Sequence, residues 1–132
     1  MSESPGARES YAKMVNRSVT TTSMSARLLL VDDKQELLTS LDHLLTLYGY
    51  EADQALGGQA AKHALANQEY DVVLLDLIMP EISGHDILDF AAREKLASKI
   101  IVVSGDSSFS GVKHALHCGA FDFVKKPYEA AE

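Results

Sequence analysis

An α/β fold, a doubly wound parallel sheet of five strands with helices on both faces, is what this sequence predicts. Three observations carry that expectation. Four short, largely apolar segments, 28–31, 72–75, 100–103 and 121–124, are each stopped by polar residues on the carboxyl side. Continuous apolar runs of this length read as strands buried on both faces. Between them lie segments with helical spacing of apolar residues and short links, the alternation of an α/β sheet. Finally, the stopping residues are chemically alike in purpose: Asp32 and Asp33, Asp76, Ser104, then Lys125 and Lys126. In an open parallel sheet all strand carboxyl ends share one edge, where ligands bind. Three carboxylates, a hydroxyl and an ammonium should converge there.

The elements follow in order. Residues 1–25 are rich in Ser and Thr and poor in large apolar side chains, so they read as a weakly structured tail. Residues 26–132 form the single domain. The first strand covers 27–31. Asp33 is expected to cap a helix over 34–48, with Leu37, Leu41, Leu44, Leu45 and Tyr48 as its apolar stripe. Gly49 ends that helix. A short polar strand over 51–55 suits the sheet edge. Gly57-Gly58 turns the chain into a helix over 59–67; with no Lys-Ser or Lys-Thr following, it is no phosphate loop. The strand over 71–75 leads to Asp76, and Pro80 and Gly84 shape the loop beyond it. A helix over 84–96 turns Ile87, Leu88, Ala91 and Ala92 inward. The strand over 99–103, a helix over 108–118 closed by Gly119, and a strand over 121–125 complete the pattern. Only five residues follow Pro127, barely more than one helical turn, so a fifth covering helix is largely missing. A parallel sheet needs both faces covered. The expectation is a fragment of a longer protein, with the N-terminal segment or a neighbouring chain as the other ways to cover the gap.

The totals narrow the function. A chain of 132 residues with 46% hydrophobic and 23% charged content suits one globular domain. No apolar run approaches the roughly 20 residues of a membrane span, and the first 25 residues lack a signal-peptide core. Cys118 is the single cysteine, which excludes an internal disulfide and points to a reducing, cytoplasmic setting. A net charge of −7 argues against direct nucleic-acid binding, which needs basic surface.

Clustered carboxylates repel one another unless a cation sits between them. An all-oxygen site with room for water suits Mg²⁺. A carboxylate can attack phosphorus and become an aspartyl phosphate, with the metal and a lysine neutralising phosphoryl oxygens. Asp76 is the best nucleophile, on the middle strand between the acidic pair and the Ser104 hydroxyl.

Taken together, Asp32-Asp33, Asp76 with Pro80 and Gly84, Ser104-Gly105 and Lys126-Pro127 resemble the receiver domain of two-component response regulators, over residues 26–132. The resemblance implies a flavodoxin-like sheet of order 2-1-3-4-5 and Asp76 as phosphoacceptor. It implies that Asp33, Asp76 and the backbone carbonyl of Ile78 ligate Mg²⁺, for which Mn²⁺ could substitute, while Asp32 acts through water. Lys126 would contact the phosphoryl group. Ser104 would swing towards it and Phe123 would turn inward behind, a packing switch triggered by a charge change. Ile78 and Asp106 would flank the path of attacking water and tune dephosphorylation. The donor would be a sensor histidine kinase or a histidine phosphotransfer protein, and the target an output domain or protein. Such a module is no enzyme in its own right, taking part only in its own phosphorylation and dephosphorylation. A homodimer is compatible with this family, although the face that the last helix would help to form is missing here. Phe123 stands where a tyrosine is often found, and a ring alone is enough to switch.

Three other readings are weaker. A receiver-like domain acting without phosphorylation would usually have lost one of the acidic pair, the acceptor or the lysine. A Mg²⁺-dependent aspartyl phosphatase would carry a general acid at Ile78. A flavodoxin would need a phosphate loop where Asp32 and Asp33 stand. His114 and His117, three residues apart, read as a solvated helical face, and Cys118 as a small residue near a helix end.

Overall fold

The computed structural model describes residues 26–77, 79, 81–104 and 109–125, with 109–111 and 125 described through the backbone alone. Five strands and four helices alternate within them. They are β1 (Arg27–Asp32), α1 (Gln35–Leu47), β2 (Glu51–Leu56), α2 (Gly58–Asn67), β3 (Val72–Asp76), α3 (Gly84–Arg93), β4 (Lys99–Ser104), α4 (Phe109–His117) and β5 (Asp122–Lys125). The strands form one sheet of order β2-β1-β3-β4-β5, and every neighbouring pair is parallel. The polar strand β2 lies at the edge, as its composition requires. β3 is central and all five of its residues are buried.

Side-chain alternation divides the core in two, because successive residues of a strand point to opposite faces. Leu28, Leu30, Val72, Leu74, Ile101, Val103 and Val124 form one cluster, closed by Leu38, Leu44 and Leu45 of α1. The other face is built from Leu29, Val31, Val73, Leu75, Ile100 and Val102. Residues of α2 (Ala61, Leu65), α3 (Ile87, Leu88, Ala91) and α4 (Ala115) cover it. Among the described residues α1 is therefore the one helix on its side of the sheet. The segment after Lys125, where a fifth helix would begin, lies outside the described residues, as does the tail over 1–25.

Four expectations need correction. Asp33 is not the cap of α1. Lys34 occupies that position with extended backbone, and its carbonyl accepts from Leu37 N and Leu38 N at 3.1 and 3.2 Å. The apolar stripe of α1 runs through Leu38, Leu44 and Leu45, with Leu41 half-buried. Leu37 is only half-buried, and Tyr48 is 48% exposed. Helix α3 stops at Arg93, because Lys95 takes a left-handed conformation (φ 54°) that a helix cannot continue. Ala92 faces solvent.

A polar cluster ties the far edge of the sheet. Asp71 accepts from Arg27 N at 2.8 Å, and Asp53 accepts from the Tyr70 hydroxyl at 2.7 Å. Arg27 pairs with Asp53 at 3.3 Å. Burial, together with the hydrogen bond to the Asp53 carboxylate, pushes the Tyr70 phenol up to about 12.

Candidate functional site

The register fixes which side chains meet at the carboxyl edge. Val31 pairs with Leu75, so Asp32 and Asp76 follow side by side at the ends of β1 and β3. Asp76 pairs with Val103, so Ser104 stands one step beyond at the end of β4. Asp32, Asp76 and Ser104 are the buried polar residues among those described, at 3%, 2% and 1% exposure. Burial of that kind is expensive unless the groups have partners or work to do.

Asp32, Asp33 and Asp76 each place a carboxylate oxygen within 4.8 Å of the others. Asp32 Oδ1 also accepts from Lys34 N at 3.0 Å, which bends the chain between β1 and α1. Since Lys34 holds the cap position, Asp33 is left to face the cluster, with the Lys34 ammonium 3.4 Å from its Oδ1. The fit to a small hard cation is good. Ligand oxygens around an octahedral Mg²⁺ lie about 3 to 4 Å apart at bond lengths of roughly 2.1 Å, so modest rotamer changes would bring the three carboxylates around one ion, directly or through a bound water. The donor set is all oxygen, as such an ion prefers.

The backbone beyond Asp76 is tightly held. Gly84 N donates to Leu77 O at 2.9 Å, which brings the start of α3 against the end of β3. A methyl group on Gly84 would lie 2.6 Å from both the Asp76 carbonyl oxygen and Leu77 Cα. Both are backbone atoms, so neither can give way cheaply. Gly84→Ala is expected to destabilise the fold by about 1–3 kcal/mol and to displace Asp76; thermal melting and Mg²⁺ titration would both register it. Just before this contact, Ser83 and Asp86 form a reciprocal capping box. Asp86 N donates to Ser83 Oγ at 3.4 Å and Ser83 N to Asp86 Oδ2 at 3.1 Å. The spacing Ser83-x-x-Asp86 is the legible signal for it. Glu81, in the same loop, has φ 66°, a conformation that non-glycine residues adopt at some cost.

Phe123 is half-buried against the core of the three-helix side. Val102 pairs with Phe123 and Ser104 with Lys125, so Phe123 and Ser104 lie on adjacent strands, two residues apart in register and on the same face. Of the expected site, Asp32, Asp33, Asp76, Ser104 and Phe123 are thus placed at or beside one edge. Ile78, Pro80, Gly105, Asp106, Lys126 and Pro127 lie outside the described residues.

Comparison with known proteins matches residues 28–132 to the response regulator receiver domain family. Regulatory protein AtoC of Escherichia coli K12 is 34% identical over 106 residues, covering 80% of this chain and 23% of that protein. Response regulator SaeR of Staphylococcus aureus USA300 is 33% identical over 105 residues, covering 80% of this chain and 46% of its own length. The chain therefore spans less than half of either relative. Among solved structures, the response regulator receiver domain protein (CheY-like) from Methanospirillum hungatei JF-1 superposes with a TM-score of 0.73 at 28% identity, covering 80% of this chain and 84% of that one.

Proposed function

The chain belongs to the response regulator receiver domain family of two-component signalling, and from that premise we propose that Asp76 is its phosphoacceptor, in a reaction that depends on Mg²⁺. The observation that carries the reading is the meeting of three carboxylates from two separate strand ends, with oxygens within 4.8 Å, at the carboxyl edge of the sheet. Three carboxylates crowded together repel one another, and a cation between them relieves that repulsion.

The chemistry follows from the placement. Asp33 and Asp76, with the Ile78 carbonyl, would hold Mg²⁺, and Asp32 would reach it through water. When bound, the ion offsets charge on the phosphoryl oxygens and on the carboxylates that surround them. One Asp76 oxygen attacks the phosphorus of a phosphohistidine. The O–P bond forms as the P–N bond breaks, and the imidazole keeps the electron pair and takes a proton. Lys126 would neutralise a phosphoryl oxygen. Ser104, buried one step beyond Asp76 in register, donates its hydroxyl to another. Phe123, beside Ser104 on the same face, moves inward as Ser104 moves, which converts a local charge change into a change of surface. Ile78 and Asp106 set how readily water reaches the acyl phosphate. The donor is a histidine kinase or a phosphotransfer protein, and the altered face signals to an output domain or partner. Among the described residues no helix is long and apolar enough to cross a membrane.

The test is direct. Incubation with acetyl phosphate and Mg²⁺ is expected to add one phosphoryl group, read by intact mass, and chelation of the metal is expected to prevent it. Failure to form an adduct with any small phosphodonor at saturating Mg²⁺ would overturn the assignment. Many turnovers on unrelated phosphate esters would favour a phosphatase instead.

A further inference from the structure

A second group of metal-binding side chains lies away from the acidic edge. His85 is in the first turn of α3; His114 is in the last turn of α4 and Cys118 just beyond it. One nitrogen of each ring and the Cys118 sulfur all lie within 4.8 Å of one another. Cys118 Sγ is 3.6 Å from His114 Nε2, and the two imidazole rings have centroids 4.9 Å apart, inclined at 53°. His85 Nδ1 is buried and makes no hydrogen bond among the described residues. A buried ring nitrogen without a partner is costly in a structural histidine and ordinary in one that awaits a ligand.

We propose that His85, His114 and Cys118 bind a divalent transition-metal ion of the zinc class. The donor chemistry separates this site from the first. Two imidazoles and a thiolate suit a borderline-soft ion, whereas the all-oxygen carboxylate cluster suits a hard one. The geometry is close to what such an ion needs. Around tetrahedral zinc, with bonds of about 2.0–2.3 Å, ligand atoms stand roughly 3.3–3.8 Å apart. The His114–Cys118 pair already has that separation, because a four-residue spacing puts both on one face across the helix end. His85 has only to close by a rotamer adjustment. Binding replaces the Cys118 S–H bond with a metal–sulfur bond and releases the proton to solvent. Three protein ligands leave the fourth position to water. His117, also exposed but outside the group, has no part in it. The ion would pin the end of α4 to the start of α3, which Gly84 joins to the Asp76 loop.

The experiment uses the full chain, reduced and stripped of metal, in excess Mg²⁺ so that the acidic cluster is filled. Titration with Co²⁺ is expected to produce a sulfur-to-cobalt charge-transfer absorption with visible bands of tetrahedral intensity, saturating at one equivalent, and Zn²⁺ is expected to abolish them. Cys118→Ser should remove the charge-transfer absorption. His85→Ala should weaken binding by about tenfold or more, given that even outer-sphere partners of a metal ligand are worth that much. His117→Ala should change nothing. His114 is exposed, so His114→Ala repeats the test without risk to folding. A parent chain with no charge-transfer absorption overturns the proposal, and so does unchanged affinity in folded His114→Ala or His85→Ala.

Discussion

The Asp76→Asn protein is expected to take up no phosphoryl group while remaining folded, a loss of at least 100-fold in labelling by acetyl phosphate. The substitution keeps the shape of a side chain that is 2% exposed, so the packing around β3 should survive. What it removes is the carboxylate proposed as nucleophile. Neither neighbour can substitute. Asp32 has one oxygen committed to Lys34 N at 3.0 Å, and Asp33 has Lys34 Nζ 3.4 Å from Oδ1. Asp32 ends β1 and Asp33 follows it, whereas Asp76 ends the central strand. The same substitution should weaken Mg²⁺ binding, and so shrink the rise in melting temperature that Mg²⁺ gives the parent. A ligand present at 100 times its dissociation constant stabilises by about 2.7 kcal/mol, so the difference is measurable. Intact mass and thermal melting, each with and without Mg²⁺, separate the two effects. A persistent adduct in Asp76→Asn would move the phosphoacceptor elsewhere.

How much of this was legible beforehand depends on the kind of signal. The apolar runs that became β1, β3 and β4 were plain because strands buried on both faces tolerate almost nothing polar. The stops at Asp32, Asp76 and Ser104 were plain for the complementary reason that a charged or hydroxyl group ending such a run needs a purpose. The residues around α1 were harder. Asp33 has the side chain of a helix cap, and a one-residue shift to Lys34 is invisible to a pattern that weighs side chains rather than backbone. Ala92 was ambiguous because alanine suits either side of a helix. The His85, His114 and Cys118 group could not be found by spacing at all. Its members lie 29 and 33 residues apart from the first, and only the packing of α3 beside α4 brings them together. The spacing of His114 and His117 reads as a solvated helical face, and nothing in it points to Cys118 or to His85.

That one-residue shift in α1 supports the second large effect, on stability. Leu38→Ala is expected to destabilise by about 2–5 kcal/mol, the usual range for a leucine removed from a core. Leu37→Ala should cost less than about 1 kcal/mol, as surface and half-buried changes usually do. Leu38 is fully buried in the cluster with Leu28, Leu30, Val72, Leu74 and Ile101. Leu37, the adjacent residue, is only half-buried. The contrast is sharpened by the architecture. On this side α1 is the one helix that covers the sheet among the described residues, so few other side chains are placed to collapse into the void. Against a total stability of roughly 5–15 kcal/mol, Leu38→Ala would remove a large share, visible as a fall in melting temperature of about 10 °C or more. Equal effects from the two substitutions would show that α1 sits on the sheet in the rotation its sequence first suggests, with Leu37 inward. The cap would then move back to Asp33, and its carboxylate would be drawn away from the cation site proposed beside Asp76.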